Sequence, residues 1–191
     1  MNDLLRTFIA IKITPQPELA KIINTLQQEL RGEAIKWVEL NNMHITVKFL
    51  GDTSCGQADQ VITALSDVAA RFPVFSFDLN GVSFFQKGSQ PRVLFVKTGS
   101  SEMLNKLAEE IENDLLSLGY AKESRGFSPH LTIGRIKYLK ERSAFKRVIE
   151  KFRQYHLQNE LCRQIIFYQS LLKPQGPVYK PLAELKFNEG H

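Results

Sequence analysis

Residues 44–47 read His-Ile-Thr-Val, and residues 130–133 read His-Leu-Thr-Ile. Both follow one pattern: histidine, aliphatic, threonine, aliphatic. The pattern constrains the fold before it says anything about chemistry. Side chains on a strand alternate between its faces, so each copy reads as a half-buried strand. The aliphatic residues go into a core; the histidine and threonine face the other way. Two of the chain's four histidines stand in this setting. Strict alternation puts His44, Thr46 and Lys48 on one face and Ile45, Val47 and Phe49 on the other. The long Lys48 side chain is then expected to reach solvent. On the second strand His130 and Thr132 oppose Leu131 and Ile133. Arg135, beyond Gly134, points away from His130 unless the glycine bends the strand.

The rest of the chain supplies strands and helices in mixed order. Leu5–Ile13 reads as a strand, and a helix opens near Pro17 and closes at Gly32. Ile35–Leu40 and Met43–Leu50 read as strands joined by Asn41-Asn42. Helices follow at Ala58–Phe72, from Met103 to Leu118 and at Ser143–Tyr155. Val74–Phe85 and Arg92–Thr98 form a strand pair across a flexible polar connector. Ser128–Ile136 carries the second motif, and Gln164–Leu172 and Tyr179–Phe187 close the chain. This order predicts an α+β fold with mainly antiparallel sheets. We read residues 1–191 as a single bilobal domain, two pseudo-symmetric lobes facing a central cleft with helices packed outside. Each half of the chain carries one motif, so the halves are expected to be the lobes.

Composition limits the class of protein. The chain has 191 residues, enough to bury a core without staples. Its formal charge of +5 is modest and suits an anionic ligand without demonstrating nucleic-acid binding. Two cysteines, Cys55 and Cys162, form no metal-spaced cluster and are expected to be reduced. No apolar run approaches the ~20 residues of a membrane-spanning helix. The start reads as a first strand and not a signal peptide. The expectation is a cytoplasmic protein with no membrane contact.

Two imidazoles and two hydroxyls with no carboxylate among them suit a phosphate ester. A neutral histidine takes a proton from the attacking oxygen, and a protonated one gives a proton to the leaving oxygen. Threonine hydroxyls can donate to the non-bridging oxygens, where charge gathers. Ordinary histidines titrate near ~6.5, so both forms coexist near neutrality. Such chemistry needs no metal. Arg92 and Arg135 are candidate phosphate contacts. Phe127 and Phe84 can stack on a base, although a chain with 13 phenylalanines buries most of them. His156 and His191 read as surface groups.

These motifs and their surroundings resemble the two-histidine phosphoesterase superfamily. The stretches NNMHITVKFLGD and FSPHLTIGRIK are similar to the motif regions of its LigT-like branch, the RNA 2′,3′-cyclic phosphodiesterases once called 2′-5′ RNA ligases. FFQKGSQPRVLFV and SLLKPQGPVYKPLAEL resemble further parts of that family, so the likeness covers the chain. The resemblance implies hydrolysis of a 2′,3′-cyclic phosphate at an RNA 3′ end to a 2′-phosphate. It implies His44 as proton donor, His130 as proton acceptor, and Thr46 and Thr132 as phosphate-binding residues. The expected partners are RNA 3′ ends or nucleoside 2′,3′-cyclic phosphates, met by a monomer with no cofactor and no metal. Three readings stay open beside it: a 2′-5′ RNA ligase, a small-nucleotide phosphodiesterase, and a binding module with a retired site.

Overall fold

The computed structural model describes residues 4–124, 126–174 and 176–189. Among these residues the chain forms nine strands and four α-helices: β1 (Leu5–Lys12), α1 (Pro17–Glu29), β2 (Ala34–Trp37), β3 (His44–Thr53), α2 (Cys55–Arg71), β4 (Phe75–Lys87), β5 (Gln90–Thr98), α3 (Glu102–Leu116), β6 (His130–Tyr138), α4 (Arg142–Lys151), β7 (His156–Cys162), β8 (Gln164–Lys173) and β9 (Gly176–Lys186). The α+β class with antiparallel strands agrees with the sequence. His191 lies outside the described residues.

Local signals explain the helix starts. Pro17 opens α1, where a missing N–H costs nothing. Leu19, Ile22, Ile23 and Leu26 then line its buried side. Helix α2 starts earlier than its apolar spacing predicts because Ser54 and Gln57 form a reciprocal cap. Gln57 N–H donates to Ser54 Oγ at 3.3 Å, and Ser54 N–H donates to Gln57 Oε1 at 3.0 Å. Ser101 caps α3 through the Leu104 amide.

The sheet order is β7-β4-β5-β6-β3-β1-β8-β9, with β2 paired to β6 off this path. It is symmetric about its middle. The motif strands β3 and β6 meet there through one pair, Ile45 opposite Leu131. On one side β6 is followed by β5, β4 and β7; on the other β3 is followed by β1, β8 and β9. Each lobe therefore holds one motif strand, but the lobes are not the halves of the chain. The first half lends β4 and β5 to the lobe of motif two, and the second half lends β8 and β9 to that of motif one. The chain must cross between lobes because β6 pairs with β5 from the first half, and β1, the neighbour of β3, pairs with β8 from the second.

Three further differences have local causes. Strands β2 and β3 do not form a hairpin, because Leu40–Asn42 makes a single 3-10 turn and β2 pairs with β6. A Cβ on Gly134 would lie 2.9 Å from Ile35 Cγ2 and 3.5 Å from Trp37, so the bare glycine gives β2 its seat. Strand β7 carries no strand signal of its own. Its run HLQNELC has no β-branched residue, and it sits at the sheet's edge. The connector after Phe85 is no flexible loop. Lys87 pairs with Gln90 across a tight turn in which Gly88 takes φ +60°.

The helices cover one face of the sheet and enclose the main core. Phe84 belongs there, edge-on to Phe145. The opposite face holds a smaller cluster, Phe8, Ala10, Ile166 and Tyr168, with Tyr179 beside it. Cys55 is exposed and Cys162 buried, both free thiols; burial pushes Cys162 up to about 12. Among the described residues no helix is long and apolar enough to cross a membrane.

Candidate active site

The two motifs meet at the centre of the sheet. Antiparallel pairing of Ile45 with Leu131 sets His44 alongside Thr132 and His130 alongside Thr46. All four side chains are half-buried, while Ile45 and Leu131 are fully buried behind them. The histidines are tethered alike. His44 Nδ1 lies 2.7 Å from Asn42 O, and His130 Nδ1 lies 2.8 Å from Ser128 O. A carbonyl can only accept, so Nδ1 carries the proton in each ring. Each Nε2, with no protein hydrogen bond among the described residues, is left for a substrate.

Aromatic rings hold both imidazoles. Phe8 and Tyr179 lie 5.1 Å from the His44 ring centre. Phe85 and Phe95 lie 4.9 and 5.4 Å from that of His130. The electrostatics of His44 are shifted. Burial holds it below the ordinary 6.5, and the positive fields of Arg135 and His130 act the same way, against a partial offset from the Asn42 carbonyl.

Both strands bulge just after the threonine. Ile9 pairs with Lys48 and Ala10 with Thr46, so Val47 is the extra residue on β3. Leu94 pairs with Gly134 and Phe95 with Thr132, so Ile133 is the extra residue on β6. A bulge exchanges the faces of the residues beyond it. Lys48 is accordingly not on the His44 face and not solvated. It is 3% exposed, with Nζ donating to Glu112 Oε1 at 3.1 Å and to Ala121 O at 2.8 Å. Phe49 takes the cleft side, 63% exposed, with its ring 6.0 Å from Phe8. Arg135, its counterpart on β6, also turns to the cleft and acts electrostatically on His44 and Tyr179.

The other candidates fall elsewhere. Arg92 donates from Nη1 to Lys137 O and from Nη2 to Gln90 Oε1, while Val93 is the residue opposite Arg135. Phe127 lines a groove beside His130 with Phe85, Phe95, Ser128 and Pro129, about 430 Å³ in volume. His156 is exposed and bonded to Asn80. Sequence reasoning missed Phe49, Tyr179, Phe85 and Phe95, and β2's Lys36, which pairs with Arg135. Alternation alone hid Phe49; the aromatics on other strands left no local signal. Among the described residues, no group of three or more His, Cys, Asp and Glu side chains is placed to hold a metal ion.

Comparison with known proteins places this geometry. The profile of the family described as LigT like Phosphoesterase matches residues 11–95 and again residues 96–179. The RNA 2′,3′-cyclic phosphodiesterase of Thermotoga maritima is 35% identical over 188 residues, covering 97% of each chain. That of Methanocaldococcus jannaschii is 30% identical over 182 residues, 94% of this chain and 99% of the relative. Among solved structures, TT0787 of Thermus thermophilus superposes with a TM-score of 0.81 at 24% identity, covering 98% of this chain and 100% of the other. E. coli LigT complexed with 3′-AMP gives 0.77 at 19% identity over the same shares. At those identities the two structures speak for the fold, and the curated relatives and the twofold profile match speak for descent. The chain belongs to the LigT-like phosphoesterase family.

Proposed function

We propose that this chain hydrolyses RNA ends carrying a 2′,3′-cyclic phosphate to 2′-phosphates, with His44 as proton donor and His130 as proton acceptor. The observation that carries the reading is the pair of Nδ1-tethered imidazoles at the one junction of β3 and β6. Relatives named for this activity cover nearly the whole chain.

In this reading the cyclic phosphate lies between Thr46 and Thr132, with Arg135 beside it. His130 Nε2 takes a proton from water as the water oxygen bonds to phosphorus. The bond from phosphorus to the 3′ oxygen breaks, and His44 Nε2 protonates that oxygen. Threonine hydroxyls and Arg135 stabilise the charge on the non-bridging oxygens. Burial holds the proton affinity of His44 low in the free protein. The phosphate anion brings the field that charges it. Phe49, exposed on the same face, offers a ring to the terminal base.

The test is a short RNA ending in a 2′,3′-cyclic phosphate, incubated in excess EDTA. A 2′-phosphate product is expected, and His44→Ala or His130→Ala should lower turnover by at least ~1000-fold with the fold retained. Dependence on added metal, or either variant near full activity, sinks the mechanism. The groove beside His130 is far larger than an attacking water needs, which supports a second reading, the 2′-5′ ligase. The same assay with a 5′-hydroxyl RNA supplied would then yield a 2′-5′ junction.

A further inference from the structure

We infer that Lys36 binds the backbone phosphodiester next to the terminal cyclic phosphate, so that this chain selects RNA ends over mononucleotides. The inference rests on the proposed cyclic phosphodiesterase reading and narrows its substrate class.

Lys36 and Arg135 are direct partners between β2 and β6. Residues opposite each other on antiparallel strands share a face, with Cβ atoms roughly 5 Å apart. That face is the cleft, because Ile35 and Trp37, on either side of Lys36, pack against the core. Directly opposed residues of paired strands thus carry two cations on one face. Among the described residues neither takes part in an ion pair; the paired lysines and arginines all lie elsewhere. Two cations without a counter-charge on one face favour an anion beside them.

The two cations divide the cleft between them. The charge of Arg135 is felt inward, at His44 and Tyr179. Lys36 reaches outward: its Nζ lies 3.6 Å from where a Cβ on Gly176 would sit, at the start of β9. Asn42 Nδ2 donates to Pro177 O at 3.4 Å, tying that same hairpin to the entry of β3. Lys36 thus stands at a mouth framed by β2, the β8–β9 hairpin and the lead-in to motif one. Lys97, across from His130, differs because its Nζ already donates to Arg153 O at 2.9 Å. On β6, Lys137 lies two residues beyond Arg135, exposed and also without an ion pair among the described residues. The positive row therefore runs outward from the reacting phosphate. In an RNA the next anion in that direction is the phosphodiester of the preceding nucleotide.

The experiment compares 2′,3′-cyclic AMP with a trinucleotide ending in a 2′,3′-cyclic phosphate, using the intact protein, Lys36→Gln and Lys36→Arg. Lys36→Gln should lower kcat/KM on the trinucleotide about tenfold, mainly through KM, the size of one exposed charge-assisted contact. Its rate on the mononucleotide should stay within about twofold, and Lys36→Arg should restore the trinucleotide rate. The slope of log kcat/KM against log salt should become shallower by about 0.7 for the trinucleotide alone. Equal losses on both substrates would place Lys36 at the reacting phosphate and overturn the inference. An unchanged trinucleotide rate would overturn it as well, with the hydrolytic reading intact. If the unaltered protein turns over neither substrate, the hydrolytic reading falls and takes this inference with it.

Discussion

His44 and His130 have the same backbone tether but different surroundings. His44 is packed between Phe8 and Tyr179; its burial, and then the fields of Arg135 and His130, disfavour its charge. Its proton affinity is below 6.5 in the folded protein and ordinary in the unfolded chain. The unfolded state thus binds more protons in the window just below 6.5. The stability His44 contributes is complete above that window and is lost as pH falls through it. A bound anion acts in the opposite sense. Histidine NMR should therefore show His44 titrating below 6.5 in the free protein and moving upward when inorganic phosphate or a 2′-nucleotide is added. A resonance absent in His44→Gln that ignores phosphate would remove His44 from the anion site. The motif residues were legible at this scale because alternation is a one-residue rule. It failed one step later, at Lys48, Phe49 and Arg135, where bulges at Val47 and Ile133 exchange faces. A bulge leaves no mark in a run of aliphatic residues, so only the glycine at 134 hinted at it.

Elements were legible where their own residues specify them. Helix α3 follows from its apolar spacing, and β6 from its motif. Strand β7 and the seat of β2 were not, since both exist through partners distant in sequence. Lys48 shows what such partnerships do for the site. Its buried ammonium joins β3, directly after motif one, to Glu112 on α3 and to the carbonyl of Ala121. Glu112 also accepts the Glu123 amide at 2.9 Å. Burial works against the charge of Glu112, but that amide and Lys48 outweigh it and hold the carboxyl below its ordinary value. The cluster ties Ala121 and Glu123, ahead of motif two, to β3 and α3. Lys48→Met should cost about 2 kcal/mol of stability, since it leaves the half-buried Glu112 carboxylate without its closest cation. The double variant Lys48→Met/Glu112→Leu should recover much of that loss, because no charge is left unpaired. Denaturant unfolding of the two variants decides the matter. A double variant no more stable than the single one would show that packing, not charge pairing, sets the role of Lys48.

At the scale of the whole molecule, the twofold pattern of the sequence is kept while its pieces are exchanged. Strands β4 and β5 precede the chain's midpoint or straddle it, yet flank motif two; β8 and β9 follow it yet flank motif one. Two copies of a motif reveal that two lobes exist. They do not reveal which strands each lobe borrows, because long-range pairing is selected by the whole core. The exchange has a consequence for cooperativity. Dividing the chain between Gly99 and Ser100 falls between β5 and α3 and cuts through no strand or helix. Yet one fragment loses β6, β7 and β8, the partners of β5, β4 and β1, and the other loses all of β1 to β5, which pair with β8, β6 and β7. Each fragment alone would expose the apolar faces of Phe8 and Ala10 or of Leu131 and Ile133. Neither should fold by itself, as judged by cooperative thermal unfolding. Refolded together, they should restore both the unfolding transition and cyclic phosphate hydrolysis, since every lost pairing is supplied by the partner fragment. A first fragment that folds cooperatively alone would mean that β1 to β5 form a self-sufficient unit, and that the strands of the second half decorate it without completing it.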